Sequence, residues 1–421
     1  MRVLWFSSTP SKFDVDNHQY HGGGWIGALE SLVADNSDIE LAVSFFYDKK
    51  RTKQKVRNVT YYPVRRYTGK EKPLRFFKNV LKGKLQDDYY MPNLLDVVDD
   101  FKPDIIHVFG TESVFGMIQK LTKVPLVIHI QGYINPCVEA FLIPGVSLHN
   151  ILFSASFTKH LMGKSLYSLL MNFRLQAKRE QLVLKNLKFA MGRTKWDREI
   201  SQFYNSELEY YHVNEVLRDS FYIQQKTERK AVDKLIVVTT MSPLLFKGLD
   251  LVMKVGKLLR SIGFNHFEWR LFGISERDEV VQFIEKWGNV KLRELGIVLE
   301  GSVNESELVS GLVEADIFVH CSYIDNSPNS VCEAQMLGLP VIAVNSGGLS
   351  SIIEDGVDGF LVPANGVFEL ATHLRKARTD YKRYEQIGKN ARRMAMQRHD
   401  KRNISASLFS VYQEITSKSS T

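Results

Sequence analysis

The segment Asp325–Ala334 reads Asp-Asn-Ser-Pro-Asn-Ser-Val-Cys-Glu-Ala, and Gly338-Leu-Pro-Val-Ile-Ala343 and the pair Gly347-Gly348 follow it. An apolar run typical of a buried strand precedes the segment, so the loop that begins with Asp325 lies at the end of a predicted strand. Glu333, eight positions later, lies on the next predicted helix. The turn between the two carboxylates offers backbone N–H groups at a helix N-terminus, which favours an anion. Alternatively, Asp325 forms an ordinary turn and Glu333 is an exposed helix residue.

Short apolar runs alternate with helical patterns on both sides of this segment. Such runs, separated by helices, are typical of a parallel sheet that is buried on both faces. The predicted strands are 3–6, 41–46, 105–109, 126–129, 189–191, 210–213, 235–238, 269–272, 297–299, 317–320 and 340–344. The pattern stops at the polar stretch 224–233 and then starts again. The sequence therefore predicts an α/β protein with two Rossmann-like, doubly wound domains that face a cleft.

The predicted domain boundaries follow from the same patterns. Residues 1–223 form the first domain, with inserted helices at about 145–187, and residues 224–395 form the second. Residues 396–421 form a C-terminal helix. Ligands of open α/β sheets bind where the carboxyl ends of the strands face a crevice, so polar residues just after strands are the site candidates.

The composition limits the class of protein. The 421 residues are 44% hydrophobic and 24% charged, which is typical of a globular protein and excludes disordered and collagen-like classes. Three cysteines, Cys137, Cys321 and Cys332, lack the spacing of a disulfide framework or a zinc site, so we expect a reducing compartment and no metal. No secretory signal and no apolar run of transmembrane length are visible. The expected location is the cytoplasm.

Positive charge is concentrated in one part of the first domain. Residues 49–84 contain fourteen Lys and Arg residues and one acid, Glu71, so this region carries +13 and the rest of the chain −5. The segment Pro73–Lys82 mixes apolar and basic residues at near-helical spacing, as helices on anionic bilayers do. A solvated basic surface and a nucleic-acid site are the alternatives, but no recognised nucleic-acid motif accompanies the patch. We expect an anionic membrane surface and no nucleic acid.

The second domain resembles the donor domain of glycosyltransferase family 4, a large retaining family with the GT-B architecture. That family carries a glutamate, seven residues and a second glutamate, followed by Ala-x-x-x-Gly-x-Pro-Val and a Gly-Gly turn. The corresponding residues here are Asp325, Glu333-Ala334, Gly338, Pro340-Val341 and Gly347-Gly348. The resemblance is specific over about 235–363 and fainter in the first domain. It implies the GT-B fold and a C-terminal helix that returns to the first domain.

The resemblance assigns roles on the donor side. Asp325 takes the place of the first glutamate, which contacts the donor sugar, and Glu333 would hold the ribose. Lys247 resembles the family's diphosphate-binding lysine, whereas Met241 stands where an arginine is usual. Asp325, Lys247 and Glu333 are therefore the catalytic candidates. The other donor-binding candidates are Gly23, Gly24, Gly273, Asn326, Ser327, Pro328, Asn329 and Ser330.

Four residues are candidates for the acceptor side. Gln131 takes the place of a histidine in the family, and His129 lies two residues earlier. Glutamine can hydrogen-bond a sugar but cannot act as an acid or base near neutral pH. Glu112 and Arg193 each follow a predicted strand and point to the same cleft.

The resemblance implies a metal-independent, retaining transferase that moves a sugar from a nucleoside-diphosphate sugar to an acceptor hydroxyl. By analogy, the acceptor is a lipid-linked or surface-polysaccharide glycan, and region 49–84 would hold the enzyme on the cytoplasmic face of a membrane. Two alternatives stay open. One is another enzyme on this fold, such as a sugar-nucleotide epimerase or a transferase with soluble acceptors. The other is a non-catalytic nucleotide-sugar-binding protein, which the departures at Met241, Asp325 and Gln131 favour.

Overall fold

The computed structural model describes residues 1–13, 24–47, 52–65, 71–226 and 233–419, with the backbone alone at 71–76. The strands are β1 (Arg2–Ser7), β2 (Glu40–Tyr47), β3 (Gln54–Val56), β4 (Val59–Arg65), β5 (Ile105–Phe109), β6 (Leu126–His129), β7 (Phe189–Gly192), β8 (Glu209–His212), β9 (Leu235–Thr240), β10 (Phe267–Phe272), β11 (Ile297–Gly301), β12 (Ile317–His320), β13 (Val341–Val344) and β14 (Phe360–Val362). The α-helices are α1 (Gly24–Ala34), α2 (Glu71–Lys82), α3 (Met91–Phe101), α4 (Ile134–Glu139), α5 (Leu148–Leu152), α6 (Phe157–Leu161), α7 (Leu166–Leu184), α8 (Lys195–Tyr204), α9 (Asp219–Ile223), α10 (Leu249–Ser261), α11 (Glu279–Gly288), α12 (Glu305–Val313), α13 (Asn329–Leu337), α14 (Val367–Thr379), α15 (Tyr381–Arg398) and α16 (Lys401–Ser419).

The strands of the first half form one sheet in the order β3-β4-β2-β1-β5-β6-β7-β8. Neighbouring strands are parallel, except that β3 runs antiparallel to β4. The central strand β1 is buried from Val3 to Ser7 because helices cover both faces of the sheet. Helices α1 and α16 pack on one face, and α3 and the end of α7 pack on the other.

The second half forms a parallel sheet in the order β11-β10-β9-β12-β13-β14. The strand order reverses between β9 and β12, as it does between β1 and β5 in the first sheet. These reversals are the topological switch points where ligands of doubly wound sheets bind. The predicted pair of doubly wound domains is confirmed.

The basic region 49–84 contains a partly buried strand. Strand β4 lies inside it, and Val59 and Tyr61 on that strand are buried. The strand was not predicted because Pro63 interrupts its pattern. Proline is tolerated here because it lies beyond the last residue pair between β4 and the short edge strand β3. The basic residues at 49–51, 66 and 70 lie outside the described residues.

The inserted helices do not pack on the first sheet alone. Phe141, Ile151 and Leu170 are buried in the same apolar core as the residues of α10 and α11 in the second half. The Phe246 ring, beside α10, lies 6.2 Å from the ring of Phe141 and 5.9 Å from that of Phe173. The stretch from α4 to the start of α7 therefore bridges the two halves of the chain.

The last helix, α16, lies against the first sheet and joins the two ends of the chain. Ile404, Leu408 and Ile415 are buried in the core formed by β1, β2 and α1. The Tyr412 hydroxyl accepts a hydrogen bond from Trp5 Nε1 at 3.0 Å and contacts His107 Nδ1 at 2.6 Å. Within the part of the chain that the structure describes, no helix combines the length and apolar character needed to cross a membrane.

The first prediction concerns this contact. Tyr412→Phe should lower the free energy of unfolding by about 1–3 kcal/mol, because the buried Trp5 N–H loses its acceptor. Tyr211→Phe is the matched control: its hydroxyl bonds Glu414 of the same helix at 2.9 Å near the surface. That change should cost less than about 0.5 kcal/mol. Urea denaturation monitored by tryptophan fluorescence measures both, and equal effects would contradict a stabilising role for the buried hydroxyl.

Candidate active site

A cavity of about 490 Å³ lies between the two halves of the chain. It is at the carboxyl ends of β9 and β12, the switch point of the second sheet, where ligands are expected. The residues that line it are Trp25, Gln131, Arg193, Thr239, Thr240, Met241, Ser242, Pro243, Lys247, Phe272, Gly273, Ser302, Val303, Leu308, His320, Cys321, Asp325, Ser327, Pro328, Asn329 and Ser330. Most of the predicted donor-side residues therefore meet in one place.

A carboxylate and a lysine face each other in the wall of this cavity. Lys247 Nζ lies 2.6 Å from Asp325 Oδ2, and His320 Nε2 lies 3.3 Å from the same oxygen. Burial alone would raise the pKa of the Asp325 carboxyl, but Lys247 and His320 together lower it by more. The pKa therefore lies well below its usual value, and Asp325 is ionised throughout the physiological range.

Two glycines allow the backbone to place this pair. Gly248 has a φ of 84°, and a Cβ at this position would collide with the carbonyl oxygen of Cys321 on β12's loop. Gly347 has a φ of 55°, and a Cβ there would collide with the carbonyl oxygen of Asp325. Only glycine fits both the left-handed conformation and the close approach. The glycines after Lys247 and in the Gly-Gly turn therefore set the position of the Asp325 loop.

The N-terminus of α13 supplies backbone donors at the same wall. Pro328 precedes the helix, and Pro328, Asn329 and Ser330 line the cavity. The first N–H groups of a helix have no partner within the helix, and the helix dipole adds partial positive charge there. Together with Lys247, this end of the helix forms a site for an anion such as a phosphate.

Arg193 brings a second cation to the cavity from the first half of the chain. Its side chain is buried, forms an ion pair with the buried Glu215 and donates to the carbonyl oxygen of Ile130 at 3.3 Å. Its guanidinium lies 5.0 Å from the centre of the Trp25 ring. Arg193 thus lines the cavity as predicted, but its partners hold it as part of the wall.

Glu333 does not face the open cavity. It is buried, and its Oε1 accepts from Arg218 Nη2 at 2.7 Å. Burial raises the pKa of Glu333, although Arg218 opposes this shift. Gly24 does not line the cavity either; it gives Arg218 room, since a Cβ at this position would lie 2.8 Å from Arg218 Cδ. Gly23 lies outside the described residues.

Asn326 is turned away from the cavity, so its assignment as a donor-binding side chain is wrong. The side chain is 1% exposed. Its amide donates to Asp197 Oδ2 at 2.8 Å, and its Oδ1 accepts from the Thr194 hydroxyl at 2.6 Å. Ser327 beside it donates to Glu215 at 3.3 Å while still reaching the cavity wall. Asn326 therefore fastens the Asp325 loop to the first half of the chain.

His129 is not on an acceptor surface, which corrects the second acceptor-side assignment. It is fully buried, its Nε2 lies 3.2 Å from the carbonyl oxygen of Val213, and its ring packs against Trp25. Glu112 also lies outside the cavity wall, with Ser8 3.5 Å from its carboxylate. Burial raises the pKa of Glu112. Gln131, like Arg193, does reach the cavity.

Two site residues were missed. His320 is the last residue of β12, and the rule that polar residues after strands line the crevice would have found it. Arg218 gave no such signal, because it lies in an irregular stretch near the end of the first domain and meets Glu333 only through tertiary packing. Its second partner is Glu305, at 3.3 Å.

One group of buried side chains has the atom types of a metal site within the described residues. Glu215, Cys332 and His399 place one ligand atom each within 4.8 Å of one another. Glu215 is already paired with Arg193, and His399 Nδ1 lies 2.8 Å from the Glu215 carbonyl oxygen. Arg193 and Arg398 also contribute to the lowered pKa of His399 after burial. The positive charges of Arg193 and Arg398 close to this group of side chains disfavour the binding of a cation there.

The second half matches a known family. Residues 221–394 match the family model of glycosyl transferases group 1. The chain is also similar to curated proteins. It is 27% identical over 177 residues to the colanic acid biosynthesis glycosyltransferase WcaL of Salmonella typhimurium, covering 40% of this chain and 42% of that protein. It is 29% identical over 139 residues to the teichuronic acid biosynthesis glycosyltransferase TuaC of Bacillus subtilis, covering 33% and 34%.

Solved structures resemble the whole chain. Sucrose-phosphate synthase of Thermosynechococcus elongatus has a TM-score of 0.70 at 12% identity, covering 99% of this chain and 100% of that one. Anabaena HepE, solved with UDP and glucose, has a TM-score of 0.64 at 16% identity, covering 98% and 99%. These similarities confirm the GT-B architecture. The curated matches are to proteins named as glycosyltransferases, and each match spans less than half of the relative's length.

The second prediction follows from the buried histidines. Burial lowers the pKa of His107 to about 3 and holds those of His129 and His399 well below their usual value. These side chains are neutral in the folded protein and take up protons in the unfolded chain. The stability that they contribute to the folded state is therefore complete above pH 6.5 and is lost as the pH falls below it. From pH 7 to pH 5.5 these three histidines together should lower the free energy of unfolding by about 4 kcal/mol.

His399→Asn tests the assignment, because the amide nitrogen of asparagine can replace Nδ1 in the bond to Glu215. Urea titrations at both pH values should show about one third less pH dependence in this variant. His212→Asn, at an exposed position, is the control and should keep the wild-type dependence. An unchanged dependence in His399→Asn would contradict the prediction.

Proposed function

We propose that the protein is a glycosyltransferase that moves a sugar from a nucleoside-diphosphate sugar to an acceptor hydroxyl, with retention of configuration. The observation that carries the proposal is the meeting of Lys247, Asp325 and the N-terminus of α13 in one cavity. A cation and a helix N-terminus suit a diphosphate, and a neighbouring ionised carboxylate suits sugar hydroxyls. A nucleoside-diphosphate sugar presents these groups side by side.

The departing diphosphate would be stabilised by fixed positive charge. Lys247 and the first N–H groups of α13 lie where charge develops as the glycosidic bond breaks, and no reorganisation is needed at that moment. Met241 contributes no charge, but Arg193 adds a cation to the opposite wall. We therefore propose a reaction in which these groups, and no metal ion, stabilise the leaving group.

Lys247 has to exchange partners during this reaction. Without donor it is held by Asp325 at 2.6 Å. A bound diphosphate offers more negative charge, so Lys247 would turn to it and release Asp325 for the sugar. His320 Nε2, 3.3 Å from the Asp325 carboxylate, would keep its contact with Asp325. The ion pair thus holds both groups in place before donor binding.

Glu333 would bind the ribose only after Arg218 has released it, as Lys247 releases Asp325. Its partner Arg218 also bonds Glu305 at 3.3 Å and so has a second carboxylate to which it can move. The acceptor would enter from the first half, where Gln131 lines the cavity. Domain-scale changes are not required for either exchange.

The acceptor is proposed to be a lipid-linked or surface-polysaccharide glycan, and the enzyme to work on the cytoplasmic face of a membrane. The names of WcaL and TuaC refer to colanic acid and teichuronic acid, which supports a polysaccharide acceptor. HepE was solved with UDP and glucose, which supports a uridine nucleotide as the first donor to test. The basic region 49–84 supports contact with an anionic surface.

The third prediction tests nucleotide binding. Lys247→Met should weaken the binding of the correct nucleoside diphosphate by about 10- to 100-fold, because a hydrogen bond to a charged group contributes about 1.5–3 kcal/mol. Calorimetric titration with UDP, GDP, dTDP and ADP identifies the base and measures the loss. Lys286→Met, at an exposed position on α11, is the matched control. Equal binding in wild type and Lys247→Met would contradict the proposed phosphate site.

The fourth prediction separates transfer from binding alone. Asp325→Ala should reduce the release of nucleoside diphosphate in the presence of acceptor by about 10²-fold, because the donor sugar loses its positioning group. The affinity for the free nucleoside diphosphate should stay within about threefold, since Asp325 contacts the sugar. Wild-type protein that binds the nucleotide but never releases product would instead support the non-catalytic alternative. Interconverted sugar nucleotides without acceptor would support the epimerase.

A further inference from the structure

The stretch from α4 to the start of α7, which bridges the two halves, also has a side that is exposed to solvent. Its inner residues are buried against the second half, but Phe153 is 67% exposed and Phe157 is 74% exposed. Leu161 and Met162 continue this exposed apolar strip on α6. Large apolar side chains in such a group, unlike single ones, mark an interaction surface.

Helix α2 extends the same surface. It packs against α6 and α7, and Phe77 and Leu81 on it are 46% and 70% exposed. The two helices are far apart in sequence but adjacent in the fold. We use the term docking face for Phe77, Leu81, Phe153, Phe157, Leu161 and Met162 together.

The segments that carry the docking face are rich in positive charge, and Glu279 of α11 is an acid that lies near Lys159. Residues 140–179 contain no aspartate or glutamate, while Lys159, Lys164 and Arg174 are exposed there. On α2, Lys78 and Lys82 are exposed beside the apolar side chains. Long basic side chains can reach lipid headgroups while their aliphatic stems and the neighbouring rings enter the boundary of the acyl region.

We propose that the docking face binds an anionic lipid bilayer. Apolar side chains supply the insertion and lysines supply the attraction to the charged surface. A second copy of the chain is a poorer partner, because two such faces would bring like charges together. This proposal rests on the membrane-surface role proposed above. It places the main membrane contact on the surface formed by α2 and α6, and not on the basic stretch 49–84 as a whole. It does not depend on the transfer chemistry.

The docking face is directly connected to the donor site. Phe141 and Phe173, on the inner side of the same bridge, contact Phe246, the residue before Lys247. A bilayer at the outer side would therefore hold the cavity at a fixed height and orientation above the lipid surface. That arrangement suits an acceptor that is itself anchored in the membrane.

Vesicle sedimentation of the full chain tests the proposal. Wild type should bind vesicles of phosphatidylcholine and phosphatidylglycerol in equal parts, and should bind pure phosphatidylcholine much more weakly. Phe153→Ser with Phe157→Ser should lower the partition coefficient by at least about tenfold. Lys159→Glu with Lys164→Glu should cause a comparable loss that depends on salt concentration. Phe203→Ser, at a site 82% exposed on α8, is the matched control and should bind like wild type.

Three results would overturn the proposal. They are absence of wild-type binding to anionic vesicles, unchanged binding of the Phe153 and Phe157 double variant, and a lipid-free dimer that this variant abolishes. The last result would assign the face to a second copy of the chain. Circular dichroism and nucleotide titration of each variant show that it is folded. Because the vesicle assay contains no nucleotide, loss of lipid binding with intact nucleotide binding would leave the proposed transfer reaction standing.

Discussion

The buried carboxylate of Asp197 holds the two halves of the molecule in register. It is fully buried and accepts from the backbone N–H groups of Arg193 and Thr194, from Tyr210, and from Asn326 of the second half. A buried charge is stable only when its hydrogen bonds are satisfied in this way. Through Asn326 it fixes the loop that carries Asp325. The cavity wall of one half is therefore positioned by a carboxylate of the other.

The loop after β12 shows how the remaining site geometry follows from this constraint. Asn326 faces the first half, so its neighbour Asp325 faces the cavity and meets Lys247 from the end of β9. Both strands are parallel neighbours, and their carboxyl ends lie at one edge of the sheet. The pair then needs only the close approach that Gly248 and Gly347 allow. Ser327 of the same loop adds a second bond to the first half, to Glu215, and the backbone N–H of Tyr323 donates to the carbonyl oxygen of Phe246 beside Lys247.

Residues placed by local pattern were predictable, and those placed by tertiary packing were not. Asp325 follows an apolar strand, and the family resemblance assigned Lys247 to the same site, so the sequence brought the two together. Asn326 lies in the same motif, but nothing local shows that Thr194 turns it away from the cavity. His129 is buried because it is the last residue of β6, inside a sheet that helices cover on both faces, whereas Gln131 lies beyond the end of the strand and reaches the cavity. The pairing of Glu333 with Arg218 joins separate segments and has no periodic signal.

The bridge from α4 to α7 limits how the cleft can move. Phe141 is fully buried between the halves, so opening the cleft at this end would return apolar surface to water at about 25 cal/mol per Å². The hydrogen bonds of Asn326 resist opening at the neighbouring loop. Donor entry is therefore best served by side-chain exchange, in which Lys247 leaves Asp325 and Arg218 leaves Glu333. In the proposed reaction, the Lys247–Asp325 pair in the cavity wall and the buried Arg218–Glu333 pair exchange their partners for the ligand, while the bridge keeps the two halves aligned.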